Sequence, residues 1–181
     1  MKRLFITVTA IACITAACNN NPATSTTATT DSAATMSNSK SDMLEKNKQT
    51  ALDAEQGFNT HNLDEAFKNV TNDAVDYGEG TMPVVKGLDS IKASAQMFIK
   101  AFPDVKGENL MAIADGNQVA VFGDWSGTFK GEMMGMKPTG KSYKVKDVDV
   151  FTFNDEGKIT EHRAVQSMQT IMMQVGAKMK K

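Results

Sequence analysis

Leu110-Met111-Ala112-Ile113-Ala114-Asp115-Gly116-Asn117-Gln118-Val119-Ala120-Val121-Phe122 is the stretch on which the architecture turns. Two apolar runs flank Asp115-Gly116-Asn117, a strong hairpin signal. Pro103, a few residues upstream, marks the point where the hydrophobic period changes to two. Before it, Leu88, Ile91, Ala95, Phe98, Ile99 and Phe102 recur at three- and four-residue steps. That is the period of an amphipathic helix, opened by Gly87-Leu88-Asp89 and stopped by the proline. The chain thus passes from helix to sheet at Pro103.

Working outward, Asp42-Met43-Leu44-Glu45 has the form of a capping box. It predicts a helix through Phe58 with Leu44, Ala51, Leu52, Glu55 and Phe58 near one face. Asn62-Leu63-Asp64-Glu65 predicts a shorter second helix to about Val70. A strand-like patch covers Ala74 to Tyr77, then Gly78, Gly80 and Pro83 punctuate a loop, and Val84-Val85 forms a short return strand. After the hairpin the second strand runs to Lys130, and Gly131 to Gly140 is a loop. A third strand covers Ser142 to Phe153, and Asn154-Asp155-Glu156-Gly157 turns into a fourth, from Lys158 to about Met168. Three helices followed by long antiparallel strands predict an α+β domain, with helices on one face of a curved sheet.

The ends of the chain read differently. Met1-Lys2-Arg3, the apolar run Leu4 to Ile14, and Thr15-Ala16-Ala17-Cys18 resemble a bacterial lipoprotein signal. The implied product starts at a lipidated Cys18, facing the periplasm or exterior as a membrane-anchored protein of the cell envelope. Thr15 stands where that signal usually has Leu, and an ordinary secretory signal cut near Ala17 is the alternative. Cys13 leaves with the signal, so Cys18 would be the only cysteine and would lack a disulfide partner. Residues 19–41 are rich in Asn, Ser, Thr and Ala and cannot bury enough apolar surface to fold. They are expected to be a tether, leaving residues 42–176 as the domain and 177–181 as a basic tail.

Formal charge is −1, falling to −3 once Lys2 and Arg3 are removed. With no basic stripe, nucleic acid is not an expected partner. Two separated histidines and no cysteine pair argue against a zinc site. No pattern recommends a serine or cysteine nucleophile.

Several segments, in order, resemble the SnoaL-like polyketide cyclase or ester cyclase family of the nuclear transport factor 2-like superfamily. They are Ala101-Phe102-Pro103-Asp104, Gly127-Thr128-Phe129-Lys130-Gly131 with Gly135 and Pro138-Thr139-Gly140, Asp149-Val150-Phe151-Thr152-Phe153, Gly157-Lys158-Ile159-Thr160-Glu161-His162, and Gln174-Val175-Gly176. The resemblance implies a cone-shaped fold, a bent sheet around helices with a mostly apolar pocket in its mouth. It also implies dimers through the sheet, no metal or cofactor, and proton transfer by a carboxylate in Glu-His-Trp-x-x-x-Asp. Here that motif reads Glu161-His162-Arg163-Ala164-Val165-Gln166-Ser167. Ser167 replaces the acid, and a hydroxyl does not take a proton near neutral pH as a carboxylate does.

Side chains two apart on a strand share a face. Ile159, Glu161, Arg163, Val165 and Ser167 are therefore expected together. On the pocket side, Arg163 with Glu161 would bind an anion such as a carboxylate or enolate; otherwise they form a neutralised pair at a dimer surface. A bulge would flip that parity. Asp147 and Asp149 share a face with Tyr143, Val145, Phe151 and Phe153 and are candidates for the missing acid. Their alternative is a solvent or subunit boundary. His162, facing opposite Arg163 on an ideal strand, is a further catalytic candidate by its family position. Trp125 is expected in the core or pocket wall, and Tyr77 at the pocket mouth. Met133, Met134 and Met136 make an adaptable apolar loop, whereas Met168, Met172 and Met173 read as core. His61 reads as a loop residue.

The expected function is a lipid-anchored SnoaL-like protein with a pocket for a small apolar or weakly anionic molecule. Cofactor-free acid-base chemistry of the cyclase, isomerase or hydrolase kind would follow if it turns over. The alternatives are a non-catalytic ligand-binding module and a protein-interaction module of the envelope.

Overall fold

A computed structural model describes residues 30–177. In chain order its elements are α1 (Thr30–Asn59), α2 (Leu63–Ala66), β1 (Val70–Asp76), β2 (Val85–Lys86), α3 (Leu88–Ala101), β3 (Lys106–Asp115), β4 (Gln118–Thr128), β5 (Ser142–Phe153), β6 (Ile159–Ala164) and α4 (Met168–Gln174). Cys18, the signal and residues 178–181 lie outside the described residues.

The six strands form one sheet in the order β2-β1-β6-β5-β4-β3. All neighbours are antiparallel except β1 and β6, which pair in parallel because the chain crosses over α3 and the β3–β5 meander between them. The hairpin forms where its signal stands. Asp115 pairs with Gln118, and Gly116 takes φ 57°, the left-handed backbone that a tight turn demands of its first central residue. The third strand keeps its expected bounds, Ser142–Phe153.

α1 and α3 lie on the concave side of the sheet. Asn59 fastens the end of α1 to β3. Its side chain donates to Gly107 O and accepts from Gly107 N, both at 2.8 Å. Gly107 itself lies under the indole of Trp125, where a Cβ would come within 2.8 Å of the ring. One end of the cone is closed by Phe102, Phe129, Tyr143, Met172 and Val175. Phe102 stacks on Phe129 at 5.3 Å and meets Tyr143 edge-on at 5.2 Å. A second cluster joins Ala51 of α1 to Val119, Val121, Phe151, Phe153 and Ile159. Each fully buried side chain of this size stabilises the fold by roughly 1.5–3 kcal/mol.

Three expectations change. First, α1 starts at Thr30, inside the stretch read as tether, and Asp42 lies within the helix rather than capping it. Extending a formed helix needs no new nucleus, so weakly helical residues are drawn in. Second, the last strand stops at Ala164 and the chain turns into α4. Ser167 is the N-cap of that helix, its hydroxyl accepting from Gln169 N at 3.1 Å. Third, β6 carries a bulge. Thr152 pairs with Glu161 but Phe153 with Ile159, so Thr160 is the extra residue.

Candidate functional site

The bulge determines which side chains enter the cone. Ile159 is buried inside, and on a regular strand Glu161 and Arg163 would follow it. The extra residue at Thr160 puts His162 and Ala164 inside instead. Along β5 the alternation is unbroken, and Tyr143, Val145, Asp147, Asp149 and Phe151 all face inward. Asp76 ends β1 and pairs across the parallel ladder with His162. Glu55 comes down from α1.

These residues form the polar part of a cavity of about 590 Å³. That volume lies within the usual range for small-molecule sites. The rest of the wall is apolar, with Phe58, Phe98, Trp125, Ile91, Ala74 and Met168 among its members. No Lys or Arg lines the cavity.

His162 is held at both ring nitrogens. Nδ1 lies 3.0 Å from Asp76 Oδ1 and Nε2 3.1 Å from Asp149 Oδ1. Ionised carboxylates only accept, so both contacts are hydrogen bonds only when both nitrogens carry hydrogen, as in imidazolium. Burial works against that charge, but the hydrogen bonds and charges of Asp149 and Asp76 outweigh it and hold the imidazole well above its ordinary value. Asp76 moves the other way. Burial would raise it, yet the His162 contact and a 2.8 Å hydrogen bond from Gly78 N leave it below the usual carboxylate range.

Glu55 is only 6% exposed. Burial, then the charges of Asp149 and Asp147, push its carboxyl well above the ordinary value, and a hydrogen bond to Asp149 favours the protonated form. Asp147 is raised by burial and by Asp149, against backbone hydrogen bonds from Gln166 and Val148 at 2.7 Å and Val165 at 3.3 Å. The site thus brings a proton-retaining carboxyl beside a carboxylate–imidazolium–carboxylate row, within an apolar enclosure. Groups so arranged can transfer protons without a metal or organic cofactor. Among the described residues no cluster has metal-ligand character.

Of the residues singled out from the sequence, Asp147, Asp149, His162, Trp125 and Glu161 line the cavity, with Met133 and Met134 of the methionine loop. Tyr77, Arg163 and Ser167 do not. The Arg163 guanidinium stacks over the Tyr77 ring at 4.3 Å and pairs with Glu161 at 3.1 Å, outside the cavity. The expected anion pocket therefore lacks its cation. Ser167 leaves the strand face because it caps α4. Two site residues were not anticipated. Glu55 was read only as part of an apolar helix face, where a lone acid is itself the signal. Asp76 stood in a strand-like patch with no partner visible in the sequence.

A bent sheet that wraps two helices around a cavity is the cone of the nuclear transport factor 2 and ketosteroid isomerase class. The family model for SnoaL-like polyketide cyclases matches residues 48–175. The chain belongs to that family. No curated protein matches it. Among solved structures it is similar to AclR of Streptomyces galilaeus, provisionally assigned as a hydroxylase (28% identity, 74% of this chain and 97% of that one, TM-score 0.63). It is also similar to a provisionally assigned SnoaL-like polyketide cyclase of Jannaschia sp. CCS1 (21%, 76% and 96%, TM-score 0.66). A third is a protein of ketosteroid isomerase-like fold from Catenulispora acidiphila, solved with trimethylamine (14%, 70% and 92%, TM-score 0.59). The last two likenesses concern the fold alone.

Proposed function

We propose that this protein is a cofactor-free acid-base catalyst that enolises a small, largely apolar carbonyl compound. The observation that carries the reading is Glu55, a buried carboxyl that keeps its proton, set beside Asp149 in an apolar cavity. Asp149 takes a proton from the carbon next to the carbonyl. Glu55 supplies a hydrogen bond, and then a proton, to the carbonyl oxygen. His162 and Asp76 are positioning residues: the imidazolium fixes Asp149 and offsets part of its charge. Reprotonation at another carbon gives isomerisation, and attack of the enol on a second carbonyl gives cyclisation. Ser167 has no part, so the acid that family members carry there is replaced by groups from α1, β5 and β6.

The test is wash-in of solvent deuterium next to the carbonyl of 2-tetralone, followed by NMR. Asp149→Asn should lower the protein-dependent rate by about 10²–10⁴. Exchange no faster than buffer, or exchange indifferent to Asp149→Asn, would leave the non-catalytic ligand-binding module as the better account.

We also propose a homodimer through the outer face of the sheet. Met111, Ile113 and Val165 are 54%, 55% and 68% exposed there, and Phe122 is 37% exposed. Met111 pairs with Phe122, and Phe122 with Val148, so these side chains form one apolar patch of the kind that marks an interface. Lipidation at Cys18 and an envelope location are part of the same proposal. Mass spectrometry of the mature N-terminus tests them, and an unmodified thiol there would refute them.

A further inference from the structure

The lining of the cavity is lopsided in charge. Six carboxyl groups contribute to it, Glu55, Asp76, Glu79, Asp147, Asp149 and Glu161, against the single imidazole of His162. Glu161 is offset from outside by Arg163. Glu55 is neutral in the reading given above. Four carboxylates then face one imidazolium, a clear excess of negative charge in a half-open cavity where solvent screening is reduced. No basic side chain pairs with Glu55 or Glu79 among the described residues. The same enclosure presents aromatic rings from Phe58, Phe67, Phe98, Trp125, Tyr143 and Phe151. Ring faces attract cations, most strongly once the cation has left water.

A cavity of this kind repels the carboxylates that an inward arginine would have bound. It suits a molecule with an apolar body and a positive head. We propose that the ligand is an organic cation, a hydrophobic amine, bound with its ammonium group among the carboxylates and its apolar body against the rings. This rests on the cavity being the ligand site and adds the charge class of its occupant. For a catalyst of the proposed kind, the natural substrate is an amino-ketone or another carbonyl compound bearing a basic nitrogen. The ammonium then sits where the protein's own cation is missing.

Three probes of matched shape test the idea: 4-phenylbutylamine, 4-phenylbutan-1-ol and 4-phenylbutyrate. Binding is followed by calorimetry and by the fluorescence of Trp125, the one tryptophan of the chain, which lines the cavity. The amine should bind at least about tenfold more tightly than the alcohol, and the carboxylate more weakly than the alcohol. The advantage of the amine should shrink in high salt. Glu79→Gln, on a loop outside the proton-transfer group, should reduce that advantage while leaving affinity for the alcohol unchanged. Adding Asp147→Asn should reduce it further. An alcohol that binds as tightly as the amine, or a carboxylate that binds tightest, would overturn the cation assignment while leaving the cavity as a ligand site. Failure of all three probes to bind would overturn both.

Discussion

Replacing Glu55 by Gln should make the protein more stable, and by an amount that depends on pH. Glu55 is 6% exposed, and burial with the charges of Asp149 and Asp147 holds its carboxyl well above the ordinary 4.5. The native state therefore keeps a proton that the unfolded chain gives up as pH rises past 4.5. Below that pH both states are protonated and there is no penalty. Above it, stability falls with each pH unit for as long as the native carboxyl stays protonated. The slope is about 1.4 kcal/mol per unit. Between 4.5 and neutrality this reaches a ceiling of about 3.5 kcal/mol at pH 7. Gln has the same shape, can donate to Asp149 and has no proton to lose. Glu55→Gln should thus match the parent near pH 4.5 and exceed it by up to about 3.5 kcal/mol at pH 7, or roughly 7–14 °C in Tm. Paired thermal melts from pH 4.5 to 8 measure the difference, with deuterium wash-in on the same samples. Catalysis should fall while stability rises, because a strained active-site group lowers stability where it serves function. A difference in Tm that is flat across this range would show that Glu55 does not titrate abnormally. A variant less stable than the parent at neutral pH would show that the carboxylate itself is wanted. Either result refutes the reasoning.

Ser167→Ala should cost about 1 kcal/mol, some 2–4 °C in a melt, through loss of the α4 cap, with ligand affinity unchanged. Arg163→Ala should leave affinity for neutral ligands within about twofold, because its guanidinium packs on Tyr77 outside the cavity; a larger loss would put Arg163 in the site. Phe122→Asp, on the outer sheet face, should convert a dimer to monomers in light scattering without lowering affinity for a ligand inside the cone. An unchanged mass would end the sheet-dimer proposal.

The fold was legible where one local signal sufficed. The turn at Gly116, the helix ending before Pro103 and the strand Ser142–Phe153 each depend on a few neighbouring residues, and the strand's strict alternation put Asp147 and Asp149 on one face with Tyr143, Val145 and Phe151, a face the structure turns inward. Two features were not legible in that way. Met168, Ile171, Met172 and Val175 repeat at helical spacing behind a capping serine, yet residues 165–168 follow the strand closely enough to be taken for its continuation. The bulge at Thr160 has no sequence mark, because it arises from the fit of β6 to β5 in a bent sheet. Asp76 and Glu55 were illegible for another reason. Their meaning lies in His162 and Asp149, which the parallel β1–β6 pairing and the descent of α1 bring to them.

That bulge links the geometry of the sheet to the chemistry of the cavity. Were the same residues, Thr160 included, paired as a regular strand, Arg163 would follow Ile159 inward and His162 would face out. A permanent guanidinium inside would favour ionisation of Asp147 and Glu55, opposing the burial that holds the Glu55 proton. The same change would separate His162 from Asp76 and Asp149, since both contacts require the imidazole inside. The bulged pairing therefore exchanges a fixed cation for a titratable one. It leaves carboxylates in excess, and that excess adds to burial in keeping Glu55 protonated beside Asp149. The placement of the imidazole and the charge preference of the cavity thus have one structural cause. Deleting Thr160 removes the bulge but leaves His162 two positions after Ile159, so that variant should keep the imidazole inside and the preference for cations; a switch of preference to anions would break this link between the bulge and the chemistry.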